Sequence, residues 1–203
     1  MGYAITRTLV KTLQQCFNYV LGIALILPWA LPAEVINGKE AGTGRLTWEW
    51  REAGISFQLL QLLPDQTRAF YLGRGFSKEH AEIIANACVF QTIFRNEGKT
   101  PISYDLNDWS VLHQGRSNSL LTREHWNEKW LKEGASQAAR IAMEWALLPT
   151  RQRFEPGDYN WGMSSYGFSP GSSFDLTLVI QRNDEAMTAE IPDILCAPDQ
   201  TRP

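Results

Sequence analysis

The sequence predicts a mainly β domain with two or three inserted helices, arranged as an antiparallel β-sandwich. Three observations predict it. Short segments alternate apolar and polar residues, as where Phe174, Leu176, Leu178 and Ile180 face one way and Asp175, Thr177 and Val179 the other. Period 2 is the mark of a half-buried strand. Pro156-Gly157-Asp158 and Pro170-Gly171-Ser172 supply reversals around an aromatic stretch, as Pro-Gly pairs do. Eight tryptophans among 203 residues provide large side chains to wall a core, with one or two left for a binding face.

The first 33 residues, MGYAITRTLVKTLQQCFNYVLGIALILPWALPA, stand apart. Arg7 and Lys11 give a basic start, residues 17–31 carry only Asn18 as a polar residue and no charge, and Leu31-Pro32-Ala33 ends on a small residue. This is the three-part plan of a secretory signal peptide. The alternative is an uncleaved anchor at the inner membrane. The apolar run of about 15 residues is short of the ~20 of a spanning helix, which favours cleavage. Length then leaves one domain: a flexible, Gly-rich lead-in over 34–44 and a single sandwich over 45–203. With Arg7 and Lys11 removed, 17 basic residues face 22 acidic ones, a formal charge of -5. That is no footprint for nucleic acid, and membrane contact is expected only through an uncleaved leader.

Cys16 belongs to the leader and precedes its apolar core. Cys88 and Cys196 remain. In an oxidising compartment an even pair predicts a disulfide, here enclosing about 107 residues and constraining the unfolded chain by roughly 4–5 kcal/mol. The rival is soft metal ligation, which usually adds nearby His or Met; neither cysteine has one within four residues.

In chain order, Leu46, Trp48 and Trp50 share one face of a strand, Glu52-Ala53-Gly54 turns it, and residues 55–63 form its partner. Pro64 opens a helix that Gly73-Arg74-Gly75 stops. Ser77 starts a second over about 78–87, with Ile83, Ile84, Ala87 and Cys88 as its apolar face. Val89 to Arg95 alternates, Asn96-Glu97-Gly98-Lys99 turns, and Ile102, Tyr104 and Leu106 return; Trp109, Val111 and His113 continue as a third strand. Residues 114–121 read as a loop. Thr122 caps a helix over 123–133 that Gly134 ends, with Trp126, Trp130 and Leu131 on one face. Residues 137–148 are ambiguous. Their alanines favour a helix, but Arg140 and Glu144 on one alternate face and the turn downstream favour a strand with Ile141, Met143, Trp145 and Leu147 inward. The strand is the expectation. Phe154 to Ile180 is expected as the closing hairpin, and 186–197 as a last strand that Pro192 places at an edge. The rhythm of residues 90–96, a turn, then 102–106 resembles a hairpin of an immunoglobulin-like sandwich. That resemblance implies a fold only, since such sandwiches serve many functions.

The leading candidate site is the Gly/Ser-rich aromatic stretch. Tyr159, Trp161, Tyr166 and Phe168, joined by Trp126 and Trp130 of the helix, offer apolar rings with polar tips suited to a protein partner. The plainer reading makes Tyr159, Trp161 and Met163 the inward side of a strand. A second candidate is a copper site on His113 and Met163, since imidazole and thioether suit copper. No HxxxH, HxH, MxxM or CxxC supports it, and no other cofactor is expected. There is no GxSxG elbow and no phosphate loop, and paired carboxylates are recognisable only by their separation in space. These readings predict an exported accessory or binding protein of the cell envelope, periplasmic or secreted, non-catalytic, engaging a protein partner through the aromatic stretch. The alternatives are a copper-binding or metallochaperone-type sandwich and an enzyme with an unrecognised site. A deep pocket joining His113 or His125 to a carboxylate would mark the last.

Overall fold

Alternating segments become strands where one face can be buried, and in the described residues they assemble into two antiparallel sheets accompanied by four α-helices. The computed structural model describes residues 33–199. The expected leader up to residue 32, with Cys16, lies outside the described residues. The first sheet runs in the order β1 (Glu34–Lys39), β2 (Leu46–Glu52), β3 (Ile55–Gln61), β4 (Val89–Asn96) and β9 (Tyr159–Ser165). The second is built on β10 (Ser173–Arg182). One edge of β10 pairs with β11 (Glu185–Leu195); the other pairs with β6 (Ser110–His113) and then β5 (Ile102–Asp105). Beyond these lie β7 (Arg116–Asn118) and β8 (Arg151–Phe154).

The inner faces of both sheets share one core. Trp48, Trp50, Phe57, Leu59, Phe90 and Phe94 of the first sheet meet Tyr104, Phe154, Leu176, Leu178, Ile180 and Ile191 of the second. Trp109, in the turn after β5, closes on Phe57 edge-to-face at 5.5 Å and donates its indole N–H to the Val179 carbonyl at 2.9 Å. The first sheet also carries a layer on its other face. Helices α1 (Pro64–Leu72), α2 (Lys78–Ala85), α3 (Arg123–Lys132) and α4 (Gln137–Ala146) bury Tyr71, Phe76, Ile84, Trp126, Trp130 and Met143 against Val89 of β4 and Met163 of β9. Among the described residues no helix is long and apolar enough to cross a membrane.

Several expectations are met. The β2–β3 hairpin turns on Ala53 and Gly54, both at positive φ, the twist that suits a two-residue hairpin. Pro192 sits on the edge strand β11, beside a register shift against Phe174 and Leu176 of β10. Asp193 there takes φ 54° and its N–H donates to Asp175 Oδ1 at 2.9 Å. Cys88 and Cys196 lie at disulfide distance, their Cα atoms 5.2 Å apart.

Others are corrected. Residues 34–39 of the expected loose lead-in pair with β2 along its length; their free N–H and C=O groups extend a sheet that already exists. Among the described residues the expected two or three helices number four. Residues 116–118, expected as loop, form a short hairpin with β6. Residues 137–146 are helix α4, not a strand. Ser136 caps it by accepting from the Ala139 N–H at 3.2 Å, and the buried Ala139 and Met143 stand four apart, the helical repeat. The closing hairpin is a crossover: β9 belongs to the first sheet and β10 to the second. The β4–β5 reversal likewise switches sheets. Turn residues say that the chain reverses, not which sheet it then joins. Buried Asn96 fixes this switch, its side-chain amide donating to the carbonyls of Thr100 at 2.9 Å and Phe154 at 3.2 Å.

The bridge ties the C-terminal tail to the head of β4. Replacing both Cys88 and Cys196 by Ala is expected to lower unfolding free energy by roughly 4 kcal/mol, read as a shift in the urea midpoint. An unchanged midpoint would show that the tail is held by its other contacts, including the Gln61 amide bond to the Leu195 carbonyl at 2.7 Å.

Candidate binding face and polar groove

The six aromatic residues singled out from sequence fall into two groups. Trp126 and Trp130 are buried, stacked at 5.3 Å with their planes 13° apart. Their indole N–H groups donate to Ser165 Oγ at 2.8 Å and Met143 Sδ at 2.9 Å, so they fasten α3 to β9 and α4. Tyr166 is fully buried and its hydroxyl accepts from Ser164 Oγ at 3.0 Å; burial pushes its phenol up beyond the ordinary range. Phe168 is half-buried against Phe174 and the His113 ring. These four are packing residues. Tyr159 and Trp161 alone of the six stand on the surface, at 63% and 55% exposure.

Sequence reasoning missed the most exposed member, Trp145 on α4, at 83%. Reading 137–148 as a strand turned it inward. The helical alternative carried the signal: Ala138, Ile141 and Trp145 at i, i+3 and i+7 form a second apolar stripe, opposite Ala139 and Met143. Five of the seven described tryptophans are at most 3% exposed, so Trp145 and Trp161 are the exceptions.

Local geometry places both near one junction. After α4 the chain runs alongside β9, with a parallel bridge between Leu147 and Met163. Trp145 and Trp161 each precede this bridge by two residues. The close approach needs Gly162: a Cβ there would fall 2.8 Å from the Leu148 backbone nitrogen. Along β9, cross-strand register puts Trp161 beside Ile93 and Tyr159 beside Arg95, whose guanidinium lies 4.9 Å from the Tyr159 ring centre. Ile93, Trp161 and Tyr159 thus form an apolar patch with Arg95 beside it.

His113 and Met163 are not brought together. His113 donates from Nδ1 to the Ser173 carbonyl at 2.7 Å, at the β6–β10 end of the second sheet. Met163 lies in the helix-side core on the other face of the first sheet, its sulfur accepting from the Tyr71 hydroxyl at 3.5 Å. Among the described residues no group of three or more His, Cys, Asp or Glu is placed to hold a metal. Neither His113 nor His125 has a carboxylate within 4.0 Å there; His80 does, with Glu133 at 3.8 Å.

A polar groove opens on the other side of α4, lined by Arg123, Glu124, Asn127, Glu144, Thr150 and Arg151. Arg123 is half-buried and donates from Nε and Nη2 to the Leu147 carbonyl. Burial draws its pKa below the arginine norm, against the nearby charges of Glu144 and Glu124. Burial also raises the Glu124 carboxyl, but the Thr150 hydroxyl, its own backbone N–H and Thr122 outweigh that and hold it below the ordinary range. Asp105 follows the same balance: burial raises it, and the Asn107 amide and Arg151 more than offset this.

Comparison with protein-family models, with curated proteins and with solved structures returned no match.

Two outcomes follow from these placements. Trp130→Ala should cost about 3–5 kcal/mol, the usual loss for a large buried ring. Trp145→Ala and Trp161→Ala should change stability by less than about 0.5 kcal/mol, as exposed positions do; chemical denaturation of the three variants checks both. Depressed carboxyl pKa values contribute stability that is present above the unfolded pKa and lost as pH falls through the folded one. Thermal stability should therefore decline as pH drops below about 4, the ordinary carboxylate range. Glu124→Gln should flatten part of that decline in a melting series from pH 6 to pH 2.

Proposed function

We propose that the protein is a non-catalytic binding module of the cell envelope, exported by its leader, which engages a protein partner through the face formed by Tyr159, Trp161 and Trp145. The observation that carries this is the pair of exposed tryptophans among described residues that bury the other five. Tryptophan and tyrosine are the side chains that most often dominate protein interfaces, because a rigid amphipathic ring gains much area for little lost freedom. Arg95 at the rim adds a residue type enriched in the same role. The leader pattern and the Cys88–Cys196 pair together suit an oxidising, extracytoplasmic setting. The fold supports a sandwich-like scaffold in general terms; the sequential β1–β2–β3–β4 order differs from the strand order of an immunoglobulin sheet.

A copper site on His113 and Met163 would need the two in one place; His113 lies on β6 beside Ser173, and Met163 lies in the helix-side core. An enzyme would need a reactive side chain facing a pocket, and the histidines supply none beside a carboxylate at His113 or His125.

The test begins with partner capture on the exported protein, followed by affinity measurement with the isolated partner. Trp145→Ala combined with Trp161→Ala should weaken binding by about 30-fold or more, as loss of an interface hot spot does, without changing the melting temperature. Full affinity in the double variant would remove the aromatic face from the interaction.

A further inference from the structure

Strand β9 is an edge of the first sheet, and its outer edge is covered unevenly. Successive residues of a strand turn their N–H and C=O to opposite edges. The Asp158 carbonyl accepts from the Asn96 N–H of β4 at 2.9 Å, so the even-numbered residues of β9 point to β4 and the odd-numbered ones away. Of the latter, the Ser165 carbonyl accepts from the Leu121 N–H at 3.0 Å and the Met163 carbonyl from the Leu148 N–H at 2.9 Å. Among the described residues no backbone group bonds Trp161 or Tyr159 on that edge. The open part of the edge is carried by the same residues whose rings stand on the surface. An uncovered edge accepts another strand, and proteins ordinarily protect one with charge or proline. The other edge strands have that protection, in Glu34 and Lys39 on β1, Arg116 on β7, Arg151 on β8 and Pro192 on β11. Strand β9 has neither, so two copies meet there without like charges opposed.

Strand geometry then fixes a register. A two-fold axis through Asn160, perpendicular to the sheet, sets Tyr159 of each chain opposite Trp161 of the other. Both residues have N–H and C=O free on that edge, so each such pair exchanges both its bonds. The facing rings lie on one side of the joined sheet, where cross-strand aromatic pairs are favourable. The same register sets Gly157 opposite Met163, a place that Leu148 already holds; the chain turns off there, at Pro156-Gly157 with Gly157 at φ 89°. With Trp161 opposite Trp161 instead, Tyr159 would fall opposite Met163, whose carbonyl is taken. We infer that the protein pairs with a second copy of itself by joining the open edges of β9 in this register, which makes the two first sheets continuous. This rests on the binding-face reading and gives that face an occupant: Tyr159 and Trp161 of another copy.

Sedimentation equilibrium of the exported protein from about 10 μM to about 1 mM should show a mass rising from one chain toward two. Trp161→Lys, at an exposed position, should raise the dissociation midpoint about 30-fold or more, by removing a central ring and charging the edge. Cross-linking reads the register. Tyr159→Cys mixed with Trp161→Cys should form an interchain disulfide, because facing Cα atoms in such a pair lie about 5.5 Å apart. Either variant alone should not, its cysteines standing about 7–8 Å apart on the diagonal, beyond the usual span of a bridge. Both positions are exposed, so the variants keep the fold, and Cys88 and Cys196 are buried away from exchange. A single-chain mass at every concentration, or cross-linking of either variant alone as readily as of the mixture, would overturn the pairing. That outcome leaves the aromatic face open to a different protein, a reading that falls only if Trp145→Ala with Trp161→Ala keeps full affinity for the captured partner.

Discussion

The structure depends on β4, whose inner face is fully buried and whose outer face is buried at Val89. Phe90 and Phe94 point into the core between the sheets and are fully buried. Val89, on the other face, joins the helix-side core. The strand sits inside its sheet, flanked by β3 and β9. Everything else arranges itself to cover those two faces. The second sheet covers the inner one with β10, whose Phe174, Leu176, Leu178 and Ile180 are at most 3% exposed. Four short helices cover the outer one, but only over the end where Val89 and Met163 lie.

That partial cover explains the exposed aromatics. Further along β9 the outer row passes from Met163 to Trp161 and Tyr159, beyond the buried helix-side cluster. Burial on folding would stabilise each large ring by ~2–3 kcal/mol, so uncovered rings on a structured strand forgo something a polar residue would not. The helical layer is itself held by polar points within apolar packing: Trp126 to Ser165, Trp130 to Met143, and Tyr71 to Met163. Arg68, gathering Asp65, Glu82 and Asp199, ties α1 to α2 and to the tail after the bridge. Such a frame holds α4 in a fixed orientation, which a recognition surface needs.

Sequence alone made most elements legible, because alternation and caps are local. Leu46-Trp48-Trp50, the Ser77 and Thr122 caps and the row from Phe174 to Ile180 were readable for that reason. Sheet membership was not. Asn96 and Pro170-Gly171 announce reversals, but whether the chain then pairs with its predecessor or crosses to the facing sheet is settled by contacts distant in sequence, such as Asn96 with Phe154. The α4 error had a different origin. Apolar residues at 141, 143, 145 and 147 satisfy period 2, while 139, 143 and 146 satisfy the helical repeat, so a ten-residue stretch fits both. Only the Ser136 cap and the alanines separate them. Reading the period wrongly placed Trp145 in the core, and the same mistake hid half of the candidate face. For Trp126 and Trp130 the sequence showed a shared helical face but could not show that β9 and α4 would cover it.

Helix α4 then becomes the element on which the functional reading turns, because it has three sectors. Ala139 and Met143 bury into the helical layer. Ile141 and Trp145 face solvent. Arg140 and Glu144 line the groove against α3. A helix needs only the first sector for stability, and ordinarily the remainder is polar. Here Arg140 donates to Asn127 of α3, and an apolar stripe that the fold does not use occupies the rest. Trp145 is a large ring without cover. A protein surface that covered Ile141 and Trp145 would bury apolar area that folding leaves in water, and one rigid helix would set the relative placement of the two side chains.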